Sequence, residues 1–343
     1  MHSSVSTAWP RPGATRTSLI RSTEAEDPFL QARSLDRWSQ EYTQLTSGLF
    51  LGRTVDLSLG PVQLFRETMN QAVDQKSHPL SEAYTVGMAF QAGGTWQNRE
   101  LGADTLFILP PGEPARLRTP AHSDIVVATI DRLEFQRQAQ QELGVEADFL
   151  FQGPMARRLD GAAAARFRAT LNRFLLCALD APQTLDAAAA RKSMADGVIQ
   201  ACLQALNQGA EAEKPSRDGH RVHRAIVERA REHILAHREN PPTVADLCAY
   251  LNMSRRGLHY AFMQVLDINS VTFIRNVRLH AVRRALLQGA PSVSAAAREW
   301  GFWHLGMFSC YYKELFGELP SETTKKSPQL KPVRWLATDL VLN

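Results

Sequence analysis

No stretch of eighteen consecutive apolar residues occurs in the chain, which removes a membrane-spanning helix from consideration. Cysteine is scarce and scattered. Cys177, Cys202, Cys248 and Cys310 form no CxxC pair, so neither a zinc knuckle nor a disulfide framework is expected, and a reducing cytoplasm fits. Residues 1–216 hold only His2, His78 and His122, too widely spaced for the histidine and carboxylate ligand set of a metal-dependent barrel enzyme. The same region has no Ser, His and Asp constellation and no glycine-rich phosphate loop. Neither a catalytic residue nor a metal site is expected, and the protein is not read as an enzyme. The first 27 residues are rich in Ser, Thr, Arg and Pro and lack the apolar centre of a secretory signal, so they read as a flexible lead-in.

What is present divides the chain in two. Its 343 residues suffice for two domains, each with its own core. Between Arg217 and Arg334 lie 18 Lys and Arg against 10 Asp and Glu, a surplus of eight positive charges in a chain whose net charge is +4. Such a gathering of charge attracts phosphate. The segment 207–220, polar with Gly and Pro, reads as a linker. Before it, residues 28–206 form a β-rich domain with helices near 160–206. YTVGMAFQ (84–91), DTLFILP (104–110) and DIVVATI (124–130) are short apolar runs, as in a sandwich or barrel, and 48–68 adds alternating segments broken at Gly60 and Pro61. Phe167, Leu171, Phe174, Leu175 and Leu179, then Val198, Cys202 and Leu206, recur at helical spacing. Those helices pack on the β-domain or form a dimerisation hairpin; both arrangements satisfy the pattern, and a homodimer is compatible with it. Tyr84, Phe90, Trp96 and Phe107 either line an effector pocket, with Glu82, Asp104 or Glu113 available for an amine, or are plain core.

Residues 221–327 carry a double helix-turn-helix grammar. Thr243 and Asp246 stand in capping-box register, Asn252 tolerates the positive φ of a tight turn, and Ser254 caps a second helix in which Leu258 and Phe262 face inward. About fifty residues later Ser292 or Ser294 caps another helix, Gly301 supplies the turn and a helix starts near His304. Its rings Phe308, Tyr312 and Phe316 are core, and Gly317 ends it. TFIRNVRLHAVRRALLQG (272–289) joins the units as one amphipathic helix; sixteen residues span about 24 Å. With the width of each unit added, the recognition helices reach the separation of about 34 Å between major-groove segments on one face of DNA. Residues 328–343, a tail mixing charge with apolar side chains, carry no assignment.

Gly301, Phe302, Phe308, Tyr312, Lys313, Phe316, Gly317 and Pro320, with Arg278 and Leu279 upstream, resemble the signature of the AraC family of transcriptional regulators over about 100 residues. The resemblance implies an α+β chain: a cupin-like effector domain followed by an all-α DNA-binding domain, acting on double-stranded DNA with RNA polymerase as partner. Mapped on this sequence it places DNA contacts at Arg255, Arg256, His259, Tyr260, His304, Leu305, Gly306, Ser309, Cys310 and Lys313. Cys248 and Asn252 replace the family's common Ala and Gly. Leu305, Gly306 and Cys310 cannot make bidentate hydrogen bonds, so the second recognition helix either touches thymine methyls or docks on phosphate. Arg256 is the leading base reader, a guanidinium for guanine O6 and N7, with phosphate contact as its alternative. Cys310 is a small apolar contact or a redox-sensitive thiol. The runs LHAVRRALL and REWGFWHLGMF are similar to the regulator of ethanolamine utilisation and its relatives, which implies a small amine effector and cobalamin as a co-effector. The expected function is a ligand-responsive activator of a catabolic operon; the alternative is an effector-independent repressor whose first domain only dimerises.

Overall fold

The computed structural model describes residues 19–79, 82–208, 219–238, 240–326 and 331–332. The chain opens with β1 (Ile20–Ala25), α1 (Pro28–Gln31), β2 (Trp38–Gln44), β3 (Gly52–Leu59), β4 (Val62–Met69), β5 (Val73–Pro79) and β6 (Ala83–Ala89). There follow β7 (Thr95–Trp96), β8 (Arg99–Glu100), β9 (Thr105–Leu109), β10 (Ala115–Arg118), β11 (Ser123–Asp131), α2 (Arg132–Leu143), α3 (Ala147–Leu150) and β12 (Ala156–Arg158). Two long helices, α4 (Gly161–Asp180) and α5 (Ala188–Gln208), complete the first domain.

The strands form two antiparallel sheets, one in the order β12-β9-β6-β11-β4-β3-β1 and one in the order β2-β5-β10-β7-β8. Because side chains alternate across a strand, the large sheet has two apolar faces. Phe65, Phe107, Ile125 and Val127 face the small sheet. Leu64, Leu106, Val126 and Ala128 face α2, α4 and α5. That double burial is why β6 and β9 read as unbroken apolar runs. Gly87 allows the packing, since a Cβ there would stand 2.4 Å from the Phe107 ring. The helices near 160–206 pack on the β-domain: Phe167, Leu171, Leu175, Val198, Cys202 and Leu206 share the core of the large sheet. Burial pushes the Cys202 thiol well above its ordinary range.

The lead-in expected through residue 27 is shorter than that. β1 pairs with β3 over six residues, and Asp27 caps α1. Its first 18 residues lie outside the described residues, as do 209–218 of the expected linker and nearly all of the expected tail.

The second domain contains α6 (Gly219–Ala236), α7 (Val244–Leu251), α8 (Arg255–Leu266), α9 (Ser270–Leu287), α10 (Val293–Glu299), α11 (Leu305–Phe316) and α12 (Pro320–Thr323). A final two-residue strand, β13 (Lys331–Pro332), pairs with β1. α9 is the spine. Phe273, Ile274 and Val277 in its first half are buried with α6, α7 and α8, and Leu279, Val282 and Leu286 in its second half with α10 and α11. Among the described residues no helix is long and apolar enough to cross a membrane.

The domains are tied by buried polar contacts. Arg283 on α9 is held by Asp27, by Glu318 at 2.8 Å, and by Tyr312 and Thr323 hydroxyls at 3.3 Å. Burial alone lowers its affinity for a proton, but Asp27 and Glu318 outweigh that and hold it above the ordinary arginine range. Arg224 on α6 donates to Asp74 at 2.8 Å, and Arg231 donates to Thr43 at 2.7 Å. Gln44 Nε2 donates to the Leu315 carbonyl at 2.9 Å, while the Gln44 carbonyl lies 3.1 Å from His280 Nε2. Burial pushes His280 down to about 3, so it is neutral in this contact.

Candidate nucleic-acid interface and effector cavity

The first unit starts with a complete capping box. Thr243 Oγ1 accepts from Asp246 N at 3.2 Å, and Thr243 N donates to Asp246 Oδ2 at 2.8 Å. Asn252 stops α7 at φ 52°, and Ser254 Oγ accepts from Gly257 N at 3.1 Å to start α8. Cys248 is a partly buried member of this core. Leu258 and Phe262 point into it, which leaves Arg255, Arg256, His259 and Tyr260 exposed together on the other side of α8. Tyr260 meets His223 of α6 edge-on at 5.2 Å.

In the second unit Ser292, not Ser294, caps α10, accepting from Ala295 N at 3.0 Å. Gly301 turns at φ 71°, and a Cβ there would lie 2.3 Å from Pro241 Cγ, so the turn sits directly on the entrance to the first unit. Arg278 shapes the same turn. Its Nε donates to the Trp300 carbonyl at 2.7 Å, and its guanidinium lies 4.2 Å from the centre of the Phe302 ring. Burial pulls Arg278 down to about 10. Phe308, Tyr312 and Phe316 stack in turn at 5.6 and 4.6 Å along the buried side of α11. His304, Gly306, Cys310 and Lys313 are exposed; Leu305 and Ser309 are half-buried. The Ser309 hydroxyl donates to the Leu305 carbonyl at 2.9 Å, so its hydrogen is spent within the helix. Two side chains not foreseen are also outward, Trp303 at 68% exposure and Met307 at 52%. Both fall between the expected positions, and the helical period sets Met307 beside Cys310, three residues on.

A family of helix-turn-helix domains matches residues 247–326. That span covers both recognition helices and their signature residues. The second domain is of the AraC type, the family whose signature residues it carries. A probable thc operon regulatory protein of Rhodococcus erythropolis is 26% identical over 295 residues, 82% of this chain and 87% of that protein. The XylDLEGF operon transcriptional activator 2 of Pseudomonas putida is 38% identical over 74 residues, 21% of this chain and 47% of that protein. A probable AraC family transcriptional regulator of Rhodopseudomonas palustris, known from its crystal structure, is 37% identical across 29% of this chain and 95% of that one, with a TM-score of 0.28. The chain is a DNA-binding transcriptional regulator with a sheet-rich first domain and a helical second one.

The four rings expected at an effector pocket are separated. Trp96 and Phe107 pack at 4.8 Å and line a cavity of about 20 Å³ between the sheets. Tyr84 is on the opposite face, against Phe135 and Phe151 at 4.9 and 4.6 Å, and its hydroxyl is bonded to Asp148. Phe90 lies on that face too, under the Arg66 guanidinium at 4.2 Å. A one-residue step along a strand exchanges faces, and short apolar runs do not declare which face is which. The carboxylates expected for an amine are also elsewhere: Glu82 pairs with Arg132 at 2.7 Å, Asp104 is 3.8 Å from Arg168, and Glu113 is exposed. Sequence reasoning missed Glu67. It lines the cavity at 1% exposure, two residues from Phe65 and therefore on the same face of β4. A carboxylate two residues after Phe65, in register with that ring on one face of the strand, was the available signal.

Proposed function

We propose that the chain is a small-molecule-responsive transcriptional activator that reads double-stranded DNA with α8 and α11 and senses its effector between the two sheets of the first domain. One observation carries this reading: the outer sides of α8 and α11 are exposed, while the spine α9 between them is fastened to the sensory domain through Arg283 and Asp27. A ligand that binds one arrangement of the sheets more tightly than another therefore has a mechanical route to both DNA readers. Arg256 is the base reader, and Arg255 and Lys313 hold phosphate. His259, Tyr260, His304, Leu305, Gly306, Ser309 and Cys310 complete the footprint. RNA polymerase is the downstream partner, the compartment is the cytoplasm, and the target is a catabolic operon. Ethanolamine utilisation is proposed on the likeness of LHAVRRALL and REWGFWHLGMF alone. Cobalamin does not fit the inter-sheet cavity, which at about 20 Å³ is far smaller than a corrin ring.

The competing reading is a repressor that needs no effector. Three buried polar side chains left without partners around the cavity favour a ligand. The test is a reporter gene driven from a site selected by the protein out of a random DNA pool, with a panel of small carbon and nitrogen sources supplied. Effector-dependent transcription that Trp96→Ala abolishes while DNA binding persists is the expected result. Constant repression by both proteins would establish the competing reading.

A further inference from the structure

Glu67 is a buried carboxylate with no cation beside it. Its Oε1 accepts from Gln31 Nε2 at 2.8 Å and from the Tyr42 hydroxyl at 3.1 Å, and no ion pair reaches it among the described residues. Three further polar groups around the same cavity lack partners: Trp38 Nε1, Gln40 Oε1 and Thr85 Oγ1. Tyr42 gives its hydrogen to Glu67, so it accepts from Gln40 Nε2 at 2.9 Å, and this fixes the Gln40 oxygen as a free acceptor. The unpartnered groups are thus two acceptors and one donor, beside a carboxylate that Gln31 and Tyr42 hydrogen-bond without bringing it a positive charge. The walls are aromatic: Trp38 meets Phe65 edge-on at 6.2 Å, and Trp96 packs on Phe107.

From this arrangement we infer that the inter-sheet cavity binds a small organic ammonium ion, with Glu67 as its counter-ion, Gln40 and Thr85 as acceptors for its remaining hydrogens, and the surrounding rings as cation–π walls. The inference rests on the ligand-responsive reading above and names the class of ligand. An ammonium group has three donors and no acceptor, which matches Glu67, Gln40 and Thr85 one for one. The aromatic faces add attraction for a cation that a neutral molecule of the same size does not receive. A single water fits the space but brings no positive charge to the carboxylate. Burial pushes Glu67 up to about 7, so an arriving cation meets a group it can hold ionised. Trp38 Nε1 remains as a donor and selects ammonium ions that carry one acceptor, such as a hydroxyl.

The cavity accommodates the ammonium head as it stands; the substituent needs more room. Trp96 is the wall able to give it. It sits on β7, which has two residues and pairs with the equally short β8, and its indole is held inward by one hydrogen bond to the Ile108 carbonyl at 3.1 Å.

The test is isothermal titration of the full chain with ethylammonium and 2-aminoethanol, and with 1-propanol and propionate as neutral and anionic size matches. Both ammonium ions are expected to bind, 2-aminoethanol more tightly, and the neutral and anionic compounds are not. Glu67→Gln, checked for folding by thermal unfolding, is expected to weaken ammonium binding at least about thirtyfold. Thr85→Val gives a smaller, several-fold loss and serves if Glu67→Gln does not fold. Equal binding of propanol or propionate, unchanged affinity in these variants, or no heat from either ammonium ion at 50-fold excess over about 1 mM overturns the assignment. A parallel anisotropy titration on the selected duplex separates the two claims. Ammonium binding through Glu67 that leaves DNA affinity and transcription unmoved refutes the regulatory reading and keeps the site. A neutral or anionic compound that changes DNA binding keeps the reading and refutes the site.

Discussion

α8 turns two arginines, a histidine and a tyrosine outward, whereas α11 turns out Gly306, Met307, Cys310 and one lysine, Lys313. The inner sides of the two helices are alike, each an aromatic and aliphatic ladder against α9. Their anchorage differs again. The first unit leans on the small sheet through Arg224 and Asp74, and the second is locked through the buried Arg283 cluster. The same scaffold is thus built twice, once with a surface suited to hydrogen-bonded base readout and once with a surface suited to contact and phosphate docking.

The contrast breaks most visibly at Arg283. Arg283→Ala strands Asp27 and Glu318 in a site where the arginine side chain is 4% exposed, and is expected to cost about 3–5 kcal/mol in urea unfolding. A smaller loss is expected in the first unit, where Arg224 also joins two carboxylates, Asp74 at 2.8 Å and Glu228 at 3.5 Å, but the second of them is 16% exposed. Next in size, Arg256→Ala is expected to cost about 1–3 kcal/mol on the selected site and far less on random DNA in a competition assay. Equal losses would make the two recognition helices alike as phosphate binders. Gly301→Ala is expected to destabilise the second unit by about 1–2 kcal/mol from its positive φ, with the Pro241 contact adding to that. Thermal unfolding followed by tryptophan fluorescence checks it through Trp300 and Trp303. Thr243→Ala removes the capping box of the first unit and is expected to cost about 1 kcal/mol in the same assay. Smallest of all, Lys313→Ala is expected to weaken selected and random DNA equally and to lower the salt slope of binding by about one. A selective loss there would give α11 a base reader after all.

Both helix-turn-helix units were legible from sequence because their boundaries are written locally. Thr243, Asn252, Ser254, Gly301 and Gly317 act on neighbours within five residues, and a helix exposes its apolar period every three or four. The choice of Ser292 over Ser294 was not legible, because both hydroxyls can reach an open amide from their positions. In the first domain β3, β4, β6, β9 and β11 were found, while β1, β2, β5, β10, β12 and the two-residue strands β7 and β8 were not: they are short, polar or both, and most gain their structure from partners far along the chain. Trp96 and Phe107 line the inter-sheet cavity while Tyr84 and Phe90 do not, for the related reason that strand periodicity separates two faces without saying which one meets the cavity.

Local hydrogen bonds and the helical period therefore determined from the chain alone that two turn-linked helix pairs exist and which of their side chains look outward. Tertiary structure decided which carboxylate lies inside the sandwich and which arginine fastens the spine to the sheet-rich domain. Glu67 and Tyr42 are 25 residues apart, and Arg283 and Asp27 are 256 apart. Nothing in a sequence window joins such residues, because their meeting depends on how sheets stack and domains dock, and on the desolvation that only the finished core imposes.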